Sequence, residues 1–189
     1  FFPDTRSSSA VNGNTFGDNY DRGHMTPNFA IARQYGSLAQ LETFLMTNIC
    51  PQKDDLNQGP WQRLEKFVVD VAQKLQHVYV ISGPIFGENP TLTKNGPERK
   101  IQIPNAFFMI LVDTDREFAE KPTIKMMAYR FPQNTPRDAD YTDRNLFGTT
   151  VNQIEAETKL DFFPEFNQLF SNWEEKENAK EMVHWSLSN

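Results

Sequence analysis

The sequence predicts an α+β domain, a mainly antiparallel sheet flanked by helices. Three observations predict it: an amphipathic helical pattern in the first half, several apolar runs of strand length after it, and turn pairs such as Gly83-Pro84 and Asn95-Gly96 that punctuate those runs. A chain of 189 residues suits one domain, and 38% apolar residues with 16 Phe and 3 Trp supply enough large side chains to rule out disorder. The expected division is a single domain with an irregular lead-in at residues 1–15 and a C-terminal appendage at 172–189.

Taken in order, residues 1–20 are rich in Ser, Asn, Gly and Asp, with the pairs Asn12-Gly13 and Gly17-Asp18, and read as loop. The β-branched and aromatic content of 44–49, closed by Pro51, predicts a short buried strand. Leu64, Phe67, Val68, Val71 and Leu75 then fall at i, i+3, i+4, i+7 and i+11, one face of a helix over 56–75 that Asp55 or Asn57 is placed to cap. Residues 77–82 alternate and end at Gly83-Pro84, a strand with its stop; 106–112 and 124–131 are two more. Between them, 90–102 carries Lys94, Arg99 and Lys100 and reads as a basic surface loop. Thr149 or Thr150 caps a helix that runs to Thr158 with Val151 and Ile154 on one side, and the charged stretch 174–181 is a solvated helix or tail.

Composition removes several classes. The longest apolar run has seven residues, at 106–112, against the roughly 20 a membrane helix needs. Cys50 is the single cysteine, so no internal disulfide and no cysteine zinc cluster can form. A net charge of −6 argues against a broad basic surface, so any grip on a polyanion must be a local patch. The chain starts at Phe1 rather than Met, so a targeting segment is expected to have been removed or to lie outside it.

The chemistry concentrates in Tyr20-Asp21-Arg22-Gly23-His24, where an acid, a guanidinium and an imidazole fall within four positions and a glycine lets the backbone pass close to a ligand. A lone histidine is most often a satisfied surface or core residue, the reading given to His77 and His184. For His24, with an acid and a guanidinium beside it, that reading is much weaker; a reaction such as phosphodiester cleavage would need a base for water, a cation for the phosphoryl oxygens and help for the leaving oxygen. An imidazole with an ordinary pKa near 6.5 is neutral enough at physiological pH to be that base. Asn57 and Glu65 lie about 800° apart on a helix, close to one face, and one amide oxygen with a water-linked carboxylate suffices for magnesium. By themselves they read more readily as a cap and a surface carboxylate.

The combination is more specific. Asp21-Arg22-Gly23-His24, Thr47-Asn48-Ile49-Cys50-Pro51-Gln52, Leu56-Asn57-Gln58-Gly59, Trp61 and Leu64-Glu65 together resemble the DNA/RNA non-specific endonuclease family, the ββα-metal nucleases. Tyr79 to Phe86, Ile103-Pro104, Val151 to Glu155 and Asp161-Phe162-Phe163 extend the resemblance over residues 16 to 166. It implies a ββα-metal core in which His24 is the general base, Asn57 the direct magnesium ligand and Glu65 a ligand through water, with manganese as a substitute ion. Arg22 lies near the phosphate or braces the site, Asp21 is structural, and Asn48 is a supporting hydrogen-bond partner. The implied reaction is hydrolysis of DNA and RNA, single and double stranded, to 5′-phosphate ends. Arg22, Lys53, Arg63, Lys94, Arg99 and Lys100 are the expected backbone contacts.

The resemblance also has gaps. Upstream strands carrying a further arginine are expected to be missing, leaving Arg6 as the candidate, and Val69 stands where some members have a basic residue. A homodimer and a protein inhibitor are the protein partners to look for, and a periplasmic or secreted location is favoured over an organellar one. The competing readings are a nucleic-acid-binding module without catalysis and a phosphodiesterase for small molecules, which a closed pocket would mark.

Overall fold

The computed structural model describes residues 1–7, 16, 20–93, 101–114 and 124–165. Strand β1 (Asp21–His24) runs antiparallel to β2 (Ile49–Gln52), pairing Asp21 with Gln52 and His24 with Ile49. Between them lies α1 (Asn28–Glu42), which the sequence reading missed. Its apolar pattern is weak, none of its residues is fully buried, and Gly36 breaks it at φ 83°, a value only glycine adopts at no cost. Phe29, Tyr35, Leu38 and Leu41 stay exposed on it.

The strand expected at 44–49 is not there. Residues 46–48 form one 3-10 turn, and the strand begins at Ile49 and passes through Pro51. The physical reason is Asn48: its side chain accepts from the Thr26 amide at 2.8 Å and donates to the carbonyls of Thr26 and Thr43, a turn-forming pattern that outcompetes strand pairing. Pro51 is tolerated because a two-stranded ribbon consists of edges, where a missing N–H is not needed.

The predicted long helix is present but starts earlier and is interrupted. It comprises α2 (Asp54–Leu56), a wide π turn (Asn57–Trp61) and α3 (Gln62–Leu75), with Gly59 leaving helical geometry and Pro60 following it. Neither Asp55 nor Asn57 caps it; Lys53 occupies the cap position without a side-chain bond.

The larger sheet is antiparallel, ordered β3-β6-β7-β8, from β3 (Tyr79–Ile85), β6 (Ala106–Thr114), β7 (Ile124–Pro132) and β8 (Gly148–Thr149). Strand β3 does not stop at Gly83-Pro84, because it is an edge strand and Pro84 costs it no ladder bond. The loop expected at 90–102 contains a small hairpin, β4 (Thr91–Leu92) paired with β5 (Gln102–Ile103). Two further helices follow β7: α4 (Arg144–Phe147) and α5 (Val151–Thr158). Thr150 caps α5 in a capping box with Gln153, as the sequence predicts. The tail expected at 174–181 lies outside the described residues.

Alternation on β6 and β7 separates two cores. Phe107, Met109, Leu111, Met127, Tyr129 and Phe131 pack on Leu56, Trp61, Leu64 and Val68 of the long helix. Ala106, Phe108, Ile110, Val112, Ile124, Met126 and Ala128 pack on Val151 and Ile154 of α5. The sheet thus lies between α3 and α5, and the rigid α3 face fixes where the start of its helix meets β1 and β2. Among the described residues no helix is long and apolar enough to cross a membrane.

Candidate active site

Strand alternation decides which residues of Asp21-Arg22-Gly23-His24 share a side. Arg22 and His24 fall on one side, where the Arg22 guanidinium lies over the Phe1 ring, 4.8 Å from its centroid, and His24 packs beside the same ring at 5.6 Å. Phe44 closes a triangle, edge-on to both His24 and Phe1 at 5.6 and 5.4 Å. Phe2 holds Phe1 there by donating to the Phe44 carbonyl at 3.0 Å and accepting from the Met46 amide.

These rings keep water from the imidazole, and desolvation lowers the His24 pKa from its ordinary 6.5. Nε2 is buried and has no hydrogen-bond partner among the described residues. Nδ1 is the nitrogen left for water to reach. The sign follows: the unfolded chain protonates near 6.5 and the folded one only below it, so stability falls as pH drops through that interval, while the neutral, base-competent form persists to lower pH. Phe44→Ala, by admitting water, should move the acid limb of kcat/KM upward toward the ordinary histidine value. An NMR titration of the His24 ring reads the same shift, and a limb that stays put or moves down would remove the rings from the account.

Asp21 points the other way, toward the long helix. Its Oδ2 accepts from Asn57 Nδ2 at 2.9 Å and from Gln58 Nε2 at 2.7 Å. Holding the amide nitrogen fixes which end of Asn57 faces outward: Oδ1, an acceptor. The π turn matters here too. It carries Asn57 at its start, and after Gly59 leaves helical geometry inside it the chain resumes α3, where Glu65 follows eight residues after Asn57. Burial pushes the Glu65 carboxyl up to about 7, and the indole N–H of Trp61, one turn before it, holds it down in part without closing a full hydrogen bond. An oriented amide oxygen and a poorly solvated carboxyl form a hard-oxygen donor set that gains from a divalent cation and fits magnesium. Among the described residues no cluster of three or more His, Cys, Asp or Glu offers an alternative metal site.

Gly23 packs against Gln52. A Cβ on Gly23 would lie 2.6 Å from Gln52 Cβ and overlap its amide. Gln52 is fully buried, with both amide atoms unpartnered among the described residues, so it has nowhere to retreat. Gly23→Ala should therefore cost about 1–3 kcal/mol of stability as overpacking, measured by thermal or denaturant unfolding; an unchanged melting curve would mean that Gln52 can swing away.

The remaining expected residues divide. The hydrogen bonds of Asn48 go to Met25, Thr26 and Thr43: its carbonyl accepts from the Met25 amide and its side chain braces Thr26, so it fixes the chain directly after His24. Arg63 donates to the carbonyls of Arg137 and Ala139 at 2.9 and 2.7 Å, which bolts the 133–143 loop onto α3. Lys53 gives its amide to Gln133 Oε1, and Gln133, buried, donates to the carbonyls of Pro51 and Pro104. Lys94, Arg99 and Lys100, like His184, lie outside the described residues. Arg6 is bound to Asp4 at 2.9 Å and holds that carboxyl well below the usual range. His77 has a partner that the sequence reading did not give it, Asp113 at 3.3 Å, at the far end of α3. Burial pushes the Cys50 thiol up to about 12, away from the thiolate form. Gln58, Gln52 and Phe44 were quoted in or beside motifs but given no role; only their long-range contacts reveal one.

Two antiparallel strands leading into a helix, with an imidazole on the first strand and an oriented amide at the helix start, define a ββα-metal nuclease core. The chain belongs to the DNA/RNA non-specific endonuclease family, whose sequence profile matches residues 1–169. It is 28% identical over 169 residues to the mitochondrial nuclease EXOG of Xenopus laevis, covering 85% of this chain and 45% of that protein. The nuclease of Serratia marcescens is 33% identical over 145 residues, 74% of this chain and 49% of its own, and human mitochondrial endonuclease G is 28% identical over 162 residues, 82% and 52%. The chain thus spans about half the length of the curated relatives it matches.

Proposed function

We propose that the chain is a sugar-non-specific endonuclease that hydrolyses phosphodiester bonds in DNA and RNA, with His24 as general base and magnesium, replaceable by manganese, at Asn57. The observation that carries the reading is the Asp21 clasp, which spends its carboxylate on the amide nitrogens of Asn57 and Gln58 and leaves the Asn57 oxygen as an acceptor, with the half-buried Glu65 carboxyl eight residues on.

Asn57 Oδ1 would hold the ion directly and Glu65 through water, Asp21 supporting from behind. When bound, magnesium supplies neutralisation of charge on the phosphoryl and 3′ oxygens. His24 takes a proton from water at Nδ1; the water oxygen bonds to phosphorus, the bond to the 3′ oxygen breaks, and that oxygen is protonated from solvent. The products are a 5′-phosphate and a 3′-hydroxyl. Arg22, with Lys53 and the basic stretch Lys94, Arg99 and Lys100, holds backbone phosphates, while Arg63 serves the loop that it bolts. Nothing in the motifs supplies a reader of base edges or a filter for the 2′-hydroxyl, so both sugars are accepted.

The test is digestion of single- and double-stranded DNA and RNA with and without chelator. All four should be cut with weak sequence preference and none after metal removal. Restriction to one sugar, or full activity in chelator, would overturn the proposal.

A further inference from the structure

The loop that follows β7 packs against the helix that carries Asn57. Its position is set by contacts at both ends: Gln133 ties it to Pro51, Lys53 and Pro104, and Arg63 ties down the carbonyls of Arg137 and Ala139. The Arg137 backbone lies directly on the π turn; a Cβ on Gly59, two residues past Asn57, would meet the Arg137 carbonyl oxygen at 2.6 Å and its Cα at 2.8 Å. The chain is fixed, but the side chain is half exposed. Its Nε reaches Asp55 Oδ1 at 3.2 Å and its Nη2 reaches Asp54 Oδ2 at 3.7 Å, both carboxylates well exposed. Asp54 precedes Asn57 by three residues, so this guanidinium lies about one helical turn from Asn57.

Exposed ion pairs of this kind are weak, whereas a guanidinium fork on a phosphate is a strong, two-pronged contact. We propose that Arg137 is a substrate-backbone contact for the phosphate next to the one cleaved, kept on the helix by Asp54 and Asp55 until a nucleic acid displaces them. This rests on the nuclease reading above and adds a residue to it. The two carboxylates act against binding, since each must give up Arg137 and then stands near the incoming polyanion.

Binding of a labelled 20-base-pair duplex, measured in chelator across a salt series, tests the assignment. Arg137→Gln should weaken binding and reduce the salt slope by about 0.9, the share of one phosphate contact; Arg137→Lys should recover the slope. Asp54→Asn/Asp55→Asn should tighten binding about tenfold at low salt, and most of that gain should vanish in the Arg137→Gln background, the coupling expected of groups in contact. Arg130→Gln is the charge control, because Arg130 pairs with Glu157 of α5 across the sheet. Equal slopes for wild type, Arg137→Gln and Arg130→Gln, with wild type still cutting DNA, overturn this inference alone. A wild type that neither binds nor cuts nucleic acid overturns the nuclease reading with it.

Discussion

His24→Ala is expected to fold and to turn over about a hundredfold or more slowly than wild type, the usual scale for a lost general base. The fold should survive because the ring is not a deep core element. It sits at the edge of a two-stranded ribbon between Phe1 and Phe44, and losing two ring contacts costs on the order of 1 kcal/mol. Its chemistry, by contrast, has no understudy among the described residues: the other described histidine, His77, is tied to Asp113 at the far end of α3. A melting curve separates the two effects. Added imidazole supplies the decisive measurement, since a missing base is replaced in part by a diffusible one, with a pH dependence that follows imidazole itself, and a missing packing group is not. Undiminished turnover in His24→Ala, or a loss that follows only the melting temperature, would remove His24 from the base role.

How much of this was legible in the sequence depends on the range of the interactions. The core strands 106–112 and 124–131 and the capped helix ending at Thr158 were readable because their signals are local: an apolar run of strand length, or a threonine ahead of Val151 and Ile154 on one side. The site residues were readable for another reason, a resemblance in short motifs that fixes identity without geometry. What failed was what distant partners decide. The turn at 46–48 depends on an Asn48 amide reaching back to Thr26, α1 has no buried stripe to betray it, and Pro51 and Pro84 read as stops only when their strands are not known to be edges. Asn57 is the instructive case. A helix-start asparagine reads first as a cap, but the helix begins three residues earlier and the amide is turned to Asp21, 36 positions back in the chain. The wide turn at Asn57–Trp61, broken at Gly59, is equally invisible to a periodicity count that assumes 3.6 residues per turn.

The second large effect is expected at Asn57. Asn57→Ala removes the direct oxygen ligand and should abolish detectable cleavage at ordinary magnesium, with any residual activity needing far more metal. Loss alone would not separate a ligand from a structural amide, so charge reversal within the clasp carries the test. Asn57→Asp offers a better metal oxygen but sets a carboxylate against the Asp21 carboxylate, now 2.9 Å from an amide nitrogen. Like charges that close cannot both stay ionised, so the single variant should bind metal more weakly than its ligand type suggests. Asp21→Asn restores a donor in the reverse sense: its amide nitrogen takes the place of the Oδ2 that serves both Asn57 and Gln58, so it donates to the carboxylate at 57 while Gln58 turns its amide over to present its own oxygen. Asp21→Asn/Asn57→Asp should thus recover roughly ten- to a hundredfold in metal affinity over Asn57→Asp, the scale on which supporting partners act on a metal site. Magnesium titrations of activity and manganese titrations of binding both read it. A pair no better than Asn57→Asp alone would mean that the clasp orients nothing, and Asn57 would lose its place as the ligand.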